Sequence, residues 1–195
     1  MKKGTLRFRK TVRSYMTVAR LGLAAGIVTR CSDFLPADDV WGFSSIATLF
    51  GFWMLTTALV IFYSSSNFNA AANAFLYLFS MSVSFYVLEY VLGWFLPRFD
   101  NGGFRWNLFL MYSLFALACG VAGGLLFFWN RGGAAGSLLY ALPVGGLLAE
   151  AIGTGVYLSM KGAFLFQFLF NLAAVIALGA IFYGKAQRKR LYVLT

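Results

Sequence analysis

Long runs of apolar residues, separated by short polar or glycine-rich segments, dominate the chain. Most of these runs approach the ~20 residues that a helix needs to cross a bilayer. They cover residues 14–28, 44–63, 70–96, 107–129, 136–159 and 163–183. Continuous runs predict α-helices rather than the alternating ten-residue strands of a membrane β-barrel. The pattern therefore predicts an all-α, polytopic bundle of six transmembrane helices.

The composition supports the membrane interpretation. Hydrophobic residues make up 61% of the chain and charged residues 11%, whereas about a quarter of an ordinary globular domain is charged. A soluble domain of 195 residues leaves much of its surface in water, so it could not hide this much apolar side chain. We expect a multi-pass integral protein of a bacterial plasma (inner) membrane, with the lipid bilayer as its first partner.

The basic residues predict the orientation. With the N-terminus inside, the predicted cytoplasmic segments carry eleven Lys and Arg residues and the predicted outer loops carry four. The positive-inside rule then places both termini in the cytoplasm. The predicted organisation is a basic N-terminal segment (1–13), a six-helix transmembrane domain (14–183) and a basic tail (184–195). Because no folded basic surface with interleaved aromatic residues is evident, we expect no nucleic-acid partner despite the net charge of +10.

Histidine is absent from the chain. Ser-His-Asp and Cys-His catalysis and histidine-ligated metal sites are therefore excluded. The acidic residues of the first predicted outer loop, Asp33, Asp38 and Asp39, match no known cation-binding loop and are expected to be solvated. The sequence predicts no catalytic residues, no cofactor and no resident metal, and we expect a protein that is not an enzyme.

Three ionisable side chains lie inside the predicted spans: Arg20, Glu89 and Glu150. At 1.5 Å per residue from the predicted outer helix ends, they lie about 15, 12 and 14 Å deep respectively. A charge in hydrocarbon is costly, so such residues usually face the bundle interior and are paired or functional. We predict that Arg20 pairs with Glu89, with Glu150 or with both, because a carboxylate is the cheapest way to neutralise a buried arginine.

Four polar side chains lie near the level of these charges on helix spacing: Gln167, Asn171, Tyr86 and Tyr157. Together with the charges they form the candidate site, which has two interpretations. In the structural one, an ion-paired strut holds the first, third and fifth helices in register. In the functional one, an outward-facing polar pocket binds a small solute or passes protons, and the surplus carboxylate is protonated.

Two resemblances bear on function. The order of features resembles a family of small bacterial six-helix membrane proteins that brings no known activity. The likeness is carried by Gly26-Ile-Val-Thr-Arg30, Asp33-Phe-Leu-Pro36, Trp53 and Gly145-Gly-Leu-Leu-Ala-Glu150. The architecture is also similar to the substrate-binding membrane subunits of energy-coupling-factor vitamin transporters. That resemblance implies six helices, cytoplasmic ends, a solute site toward the outer face and a docking motif in the first helix. The nearest equivalent of that motif is Gly22-Leu-Ala-Ala-Gly26, which departs from the family's alanine spacing.

Three functions remain open, from three different classes. The leading hypothesis is a non-enzymatic solute-binding or transport component with an outward-facing polar pocket. The second is an accessory subunit that packs against another membrane protein through Gly22 and Gly26, whose spacing also suits packing within the chain. The third is a membrane enzyme acting on lipid-linked substrates, with Glu89 or Glu150 as acid or base.

Overall fold

Seven α-helices account for most of the chain in the computed structural model, which describes residues 7–36, 39–47, 49–97 and 102–194. They are α1 (Val12–Ser32), α2 (Gly51–Phe62), α3 (Asn67–Gly93), α4 (Trp106–Leu126), α5 (Ala134–Lys161), α6 (Leu165–Lys185) and α7 (Lys189–Leu194). The segments Phe43–Ala47 and Phe127–Asn130 are 3₁₀ helices. The all-α prediction is confirmed for the part of the chain described here.

Four helical segments are long and apolar enough to cross a membrane: Asn67–Gly93, Trp106–Asn130, Ala134–Lys161 and Leu165–Lys185. This is compatible with an integral membrane protein. The first predicted span, α1, is as long as α4 but carries three arginines. The second, α2, is apolar but only 12 residues long, about 18 Å of helix. The presence of six spans and the orientation of the chain in the membrane therefore stay predictions.

The ends of α3 differ from the predicted span of residues 70–96. The helix begins earlier, because Ser66 caps it by accepting a hydrogen bond from the Asn69 amide (3.3 Å). It ends at Gly93, where the Trp94 amide turns back to the Val91 carbonyl (3.2 Å). Glu89 consequently lies four residues from the end of its helix. The sequence-based depth takes Pro97, eight residues after Glu89, as that end.

The chain divides into two compact units: unit 1 is Met1–Arg30 with Leu59–Phe127, and unit 2 is Cys31–Ala58 with Phe128–Thr195. In unit 1, α3 and α4 form an antiparallel hairpin. Asn67 at the start of α3 donates to the Gly124 carbonyl near the end of α4 (3.2 Å). A methyl group on Gly120 would lie 2.9 Å from the Phe75 Cβ atom, so small residues let the two helices approach closely.

Helix α1 lies along α3 in unit 1, and two glycines make the contact. A Cβ atom on Gly22 would collide with the Tyr77 carbonyl oxygen, and one on Gly26 would collide with the Met81 carbonyl oxygen and the Ser84 hydroxyl. The paired numbers rise together, so the two helices run parallel. Packing within the chain is therefore one role of these glycines, and docking of a partner through them stays a prediction.

In unit 2, α5 and α6 form a second antiparallel hairpin, onto which the tail folds. The Arg188 amide donates to the Ser137 hydroxyl (3.1 Å), and the Tyr192 hydroxyl of α7 donates to the Gly179 carbonyl (3.0 Å). Leu147 and Leu178 have no exposed surface at the core of this hairpin. These contacts bring the basic tail back against the ends of α5 and α6.

The segment before α2 is bonded to the start of α6. The carbonyls of Val40 and Trp41 accept hydrogen bonds from the Leu165 and Phe166 amides at 3.0 and 3.1 Å. These two amides belong to the first turn of α6 and have no partner within that helix. The connection positions the N-terminus of α2 beside α6.

Candidate functional site

The structure places four of the seven predicted site residues in two polar clusters, each within one unit. In unit 1, Glu89 meets two arginines; we name these three residues the Glu89 cluster. In unit 2, Glu150 lies with two amides of α6 at the start of α2; we name this set the Glu150 cluster.

The Glu89 cluster is a buried carboxylate held by two guanidinium groups. Glu89 is 4% exposed, and its Oε1 atom lies 3.4 Å from Arg30 Nη2 and 3.3 Å from Arg105 Nη1. The Arg30 side chain is 8% exposed, and that of Arg105 is 43% exposed. The Arg30 guanidinium also stacks over the Phe85 ring, 5.0 Å from its centroid. Arg30 is therefore the buried partner of Glu89, and Arg105 is the partly exposed one.

These three residues tie together the ends of three helices. Arg30 lies in the last turn of α1, Glu89 lies one turn before the end of α3, and Arg105 directly precedes α4. A cation in the last turn of α1 also complements that helix's dipole. An ion-paired strut is thus present in unit 1, but it joins α1, α3 and the start of α4 through Arg30 and Arg105, and not the first, third and fifth helices through Arg20 as predicted.

Arg20 requires a correction. Its side chain is exposed, and within the described residues it has no ion pair or side-chain hydrogen bond. Ten residues of α1, about 15 Å, separate it from Arg30, whose position opposite the end of α3 gives it the contact with Glu89. Arg30 stands just after the predicted first span (residues 14–28), where hydropathy alone favours an interfacial arginine, so sequence reasoning missed it.

The two predicted tyrosines have different surroundings. Tyr86 is buried one turn before Glu89, and its ring lies 6.1 Å from Tyr112 and 6.2 Å from Phe109. It belongs to the aromatic wall of unit 1. Tyr157 is 45% exposed and stacks on Phe164 at 5.0 Å, so it does not join the Glu150 cluster.

In the Glu150 cluster, three of the predicted residues share one neighbour, Gly51 at the start of α2. Gln167 and Asn171, one turn apart on α6, have no exposed surface, and Gln167 Nε2 donates to Asn171 Oδ1 (3.1 Å). A Cβ atom on Gly51 would collide with Asn171 Oδ1 and lie 2.7 Å from Gln167 Nε2. Only glycine lets the backbone at the start of α2 approach these amides so closely. Sequence reasoning missed Gly51 because residues 44–63 were interpreted as one uninterrupted span.

The carboxylate of Glu150 faces the same helix start. The backbone amides of Phe50 and Gly51 approach it, and a helix N-terminus favours negative charge. Neither carboxylate oxygen completes a hydrogen bond within the described part of the chain, although both are shielded from solvent. The same holds for Gln167 Oε1 and Asn171 Nδ2. Unlike Glu89, Glu150 has no Lys or Arg partner among the described residues.

The chemistry of the Glu150 cluster is that of an acceptor site. Three of its four unpartnered atoms are oxygens that accept hydrogen bonds or bind cations, and one is a donor. Leaving a buried polar group unpaired costs about 1–3 kcal/mol, so native proteins normally pair such groups with protein, water or a ligand. The cluster is therefore suited to a small cation or to a proton.

Within the described residues, no group of three or more His, Cys, Asp or Glu side chains lies close enough to hold a metal ion. Asp38 of the acidic loop lies outside those residues. Asp39 uses its carboxylate locally, accepting a hydrogen bond from the Gly42 amide (2.7 Å).

The chain matches no protein-family model, and no curated protein or solved structure is similar to it. Both resemblances drawn from the sequence thus stay predictions.

Proposed function

We propose that this chain is a multi-pass, non-enzymatic protein of the plasma membrane that binds or transports a small cation at the Glu150 cluster. The proposed topology has six spans with both termini in the cytoplasm. The four apolar helices support it, as does the 21-residue length of α1, about 31 Å of helix. Arg13, near the N-terminal end of α1, is exposed and its charge can reach the interface, whereas the charge of Arg30 at the other end is paired with Glu89.

The observation that carries the proposal is the set of unpartnered atoms around Glu150. A carboxylate inside an apolar helical hairpin destabilises the fold, so such a residue usually has a function. Its two oxygens and Gln167 Oε1 are acceptors that complete no hydrogen bond within the described residues, and the Phe50 and Gly51 amides are the donors that approach the carboxylate. Oxygen atoms of this kind are the ligands that hard cations prefer, and protonation neutralises the same group.

The burial of these atoms limits the size of the occupant. All four unpartnered atoms are shielded from solvent, so a large solute could reach them only if the helices separated. A proton, an alkali cation or a primary ammonium ion needs much less room. The solute-binding hypothesis is therefore narrowed here to a small cation rather than to a vitamin-sized molecule.

The first test measures binding by thermal stability. Purified full-length protein in mild detergent is melted in lithium, sodium, potassium, ammonium or methylammonium chloride at constant ionic strength, with choline chloride as the reference. A cation at 100 times its dissociation constant adds about 2.7 kcal/mol. We expect one or more of these cations to raise the melting temperature of the native chain and to leave that of Glu150→Gln unchanged. Asp33→Asn, which removes an acid from the loop after α1, is the control and should respond like the native chain.

The second test measures movement. Proteoliposomes containing a pH-sensitive dye are given an outward-directed gradient of the cation that stabilises the protein. The proton or cation flux carried by the native chain should be lost in Glu150→Gln and reduced in Gln167→Leu. If no cation stabilises the native chain and neither proton nor cation flux exceeds that of empty liposomes, the proposal fails.

The two other hypotheses make separate demands. An accessory subunit would have to engage its partner through further surfaces, since Gly22 and Gly26 contact α3 within the chain. It predicts a stable partner in a mild-detergent pull-down. A lipid-acting enzyme predicts that Glu150→Gln loses turnover, whereas Glu89 is committed to Arg30 and Arg105.

A further inference from the structure

A cleft of about 70 Å³ lies in unit 2, where the segment after α4, the start of α5 and the segment after α6 meet. Its lining contains two cationic side chains, Arg131 and Lys185, and no acidic one. The volume suffices for several water molecules or one tetrahedral oxyanion. We name it the α5 cleft.

The start of α5 contributes hydrogen-bond donors to this cleft. Helix α5 is 28 residues long, and Gly133 before it provides no side-chain cap. The first-turn amides of a helix have no partner within it and carry the positive end of its dipole. The Gly133 amide already donates to Gln187 Oε1 (3.0 Å), which holds the segment after α6 against this helix start.

Trp129 supplies an independent observation. It lines the cleft and is 2% exposed, yet its indole N–H has no acceptor within the described residues. The ring is fixed, because it stacks on Tyr140 at 5.2 Å with an interplanar angle of 8°. An indole nitrogen only donates, so a group that reaches this N–H from the cleft has to bring an acceptor.

The Arg131 side chain is held where such a group would bind. Its guanidinium stacks on the Phe128 ring at 4.2 Å, which leaves the N–H fork available for a planar or tetrahedral oxyanion. Lys185 lies in the last turn of α6 and adds a second charge. The described side chains of the cleft thus include one buried donor without an acceptor and two cations.

We propose that the α5 cleft binds a phosphate group, which arrives on an anionic lipid headgroup or as free phosphate. Helix N-termini with nearby cations are established phosphate sites in proteins. In the topology proposed above, the cleft lies at the cytoplasmic end of α5, at the level where lipid phosphates occur. The inference uses that topology but not the Glu150 cluster.

The experiment separates the two sources. Full-length protein in neutral detergent is titrated with inorganic phosphate, and dissociation constants are measured by calorimetry. In parallel, native mass spectrometry measures the retention of dioleoyl phosphatidic acid against dioleoyl phosphatidylcholine. Binding of either probe supports the proposal: phosphatidic acid alone indicates a lipid headgroup, and inorganic phosphate alone indicates a free anion.

The variants assign the binding to this cleft. Arg131→Gln and Lys185→Gln should each weaken the bound probe about tenfold, the effect of one charge-assisted hydrogen bond. Arg190→Gln removes the same charge from the tail at a residue that does not line the cleft, and should change affinity less than twofold. Trp129→Phe keeps the ring and removes only the N–H, and should weaken binding severalfold.

Two results would overturn the inference. In one, neither probe binds the native chain. In the other, Arg190→Gln weakens binding as much as Arg131→Gln, which would mean that general surface charge attracts the anion. Glu150→Gln should bind phosphate like the native chain, so failure here and failure of the proposed cation site remain distinguishable.

Discussion

Removal of the Glu89 carboxylate should destabilise the protein strongly, and by an amount that the burial of its two partners sets. Breaking a buried ion pair by removing one partner costs about 3–5 kcal/mol, because the other charge is left in an apolar environment. Exposed pairs contribute about 0–1 kcal/mol. Arg30 is 8% exposed and Arg105 43% exposed, so we expect Glu89→Gln to fall in the first range through Arg30.

The two arginines should therefore couple unequally to Glu89, although their distances of 3.4 and 3.3 Å are nearly the same. Arg105→Gln alone should cost less than about 1 kcal/mol, since the Arg105 pair is partly exposed to water and Arg30 still neutralises Glu89. In double-mutant cycles, coupling of contacting residues spans about 0.5–3 kcal/mol. We place Glu89 with Arg30 at the upper end of that range and Glu89 with Arg105 at the lower end.

The assay is reversible unfolding of the full-length protein in mixed micelles of dodecyl maltoside and dodecyl sulfate, followed by far-UV circular dichroism. Arg20→Gln provides the matched control, because Arg20 lies on the same helix as Arg30 but is exposed. It should change the free energy of unfolding by less than about 0.5 kcal/mol. The reasoning is refuted if Arg20→Gln costs as much as Arg30→Gln, or if the Glu89–Arg105 coupling exceeds the Glu89–Arg30 coupling.

Three further predictions concern packing and the two ends of the chain. Gly26→Ala should destabilise the protein by about 1–3 kcal/mol, because the added methyl group collides with α3; unfolding in mixed micelles measures it. Asn69→Ala should speed tryptic cleavage near the N-terminus. The buried side-chain amide of Asn69 donates from Nδ2 to the Phe8 carbonyl (2.6 Å) and holds that segment in place. Burial raises the pKa of Tyr192 above its ordinary value of 10.0. The neutral hydroxyl donates to Gly179, so stability from this contact is complete below about pH 10 and is lost as pH rises further.

Each of these predictions has a matched control. Gly153→Ala adds the same methyl group where nothing lies within 4 Å, so it should be neutral or stabilising through helix propensity. Asn107→Ala removes an exposed amide and should leave tryptic cleavage unchanged. Tyr192→Phe should abolish the alkaline transition of the tail, measured by tyrosine absorbance and amide exchange. Equal effects in a variant and its control would contradict the corresponding prediction.

The helices could be predicted from the sequence, but their ends could not. Apolar runs identify the segments that lipid or a protein core will cover, whatever their exact backbone. Residues 44–63 are apolar throughout, yet the helix there starts only at Gly51, after a separate 3₁₀ helix. The reason is a tertiary contact: the start of α2 lies against Gln167 and Asn171, and hydropathy carries no signal for that.

The buried acids could likewise be identified from the sequence, whereas their partners could not. Depth was counted from predicted helix ends, and for Glu89 from Pro97, so the end of α3 at Gly93 changes its depth by four residues, about 6 Å. That shift brought Glu89 to the level of Arg30 and away from that of Arg20. Arg105 lies in a loop, where no periodicity predicts direction. Gln167 and Asn171 were predicted because helix spacing puts them near the level of the buried charges, and polar side chains at that depth usually face the bundle interior.

The unequal fates of the two glutamates separate structure from function. The sequence left one acid in surplus, and in the described part of the chain Glu89 has two arginines while Glu150 has none. A group retained for stability should be costly to remove, whereas one retained for binding should be cheap to remove or stabilising when lost. Glu150→Leu should therefore preserve or raise the free energy of unfolding while it abolishes the cation response. Glu89→Leu should lower the free energy of unfolding unless Arg30 is also made apolar. A well-packed apolar pair can replace a buried ion pair. If Glu150→Leu were as destabilising as Glu89→Leu, both acids would be structural and the cation site would have no basis.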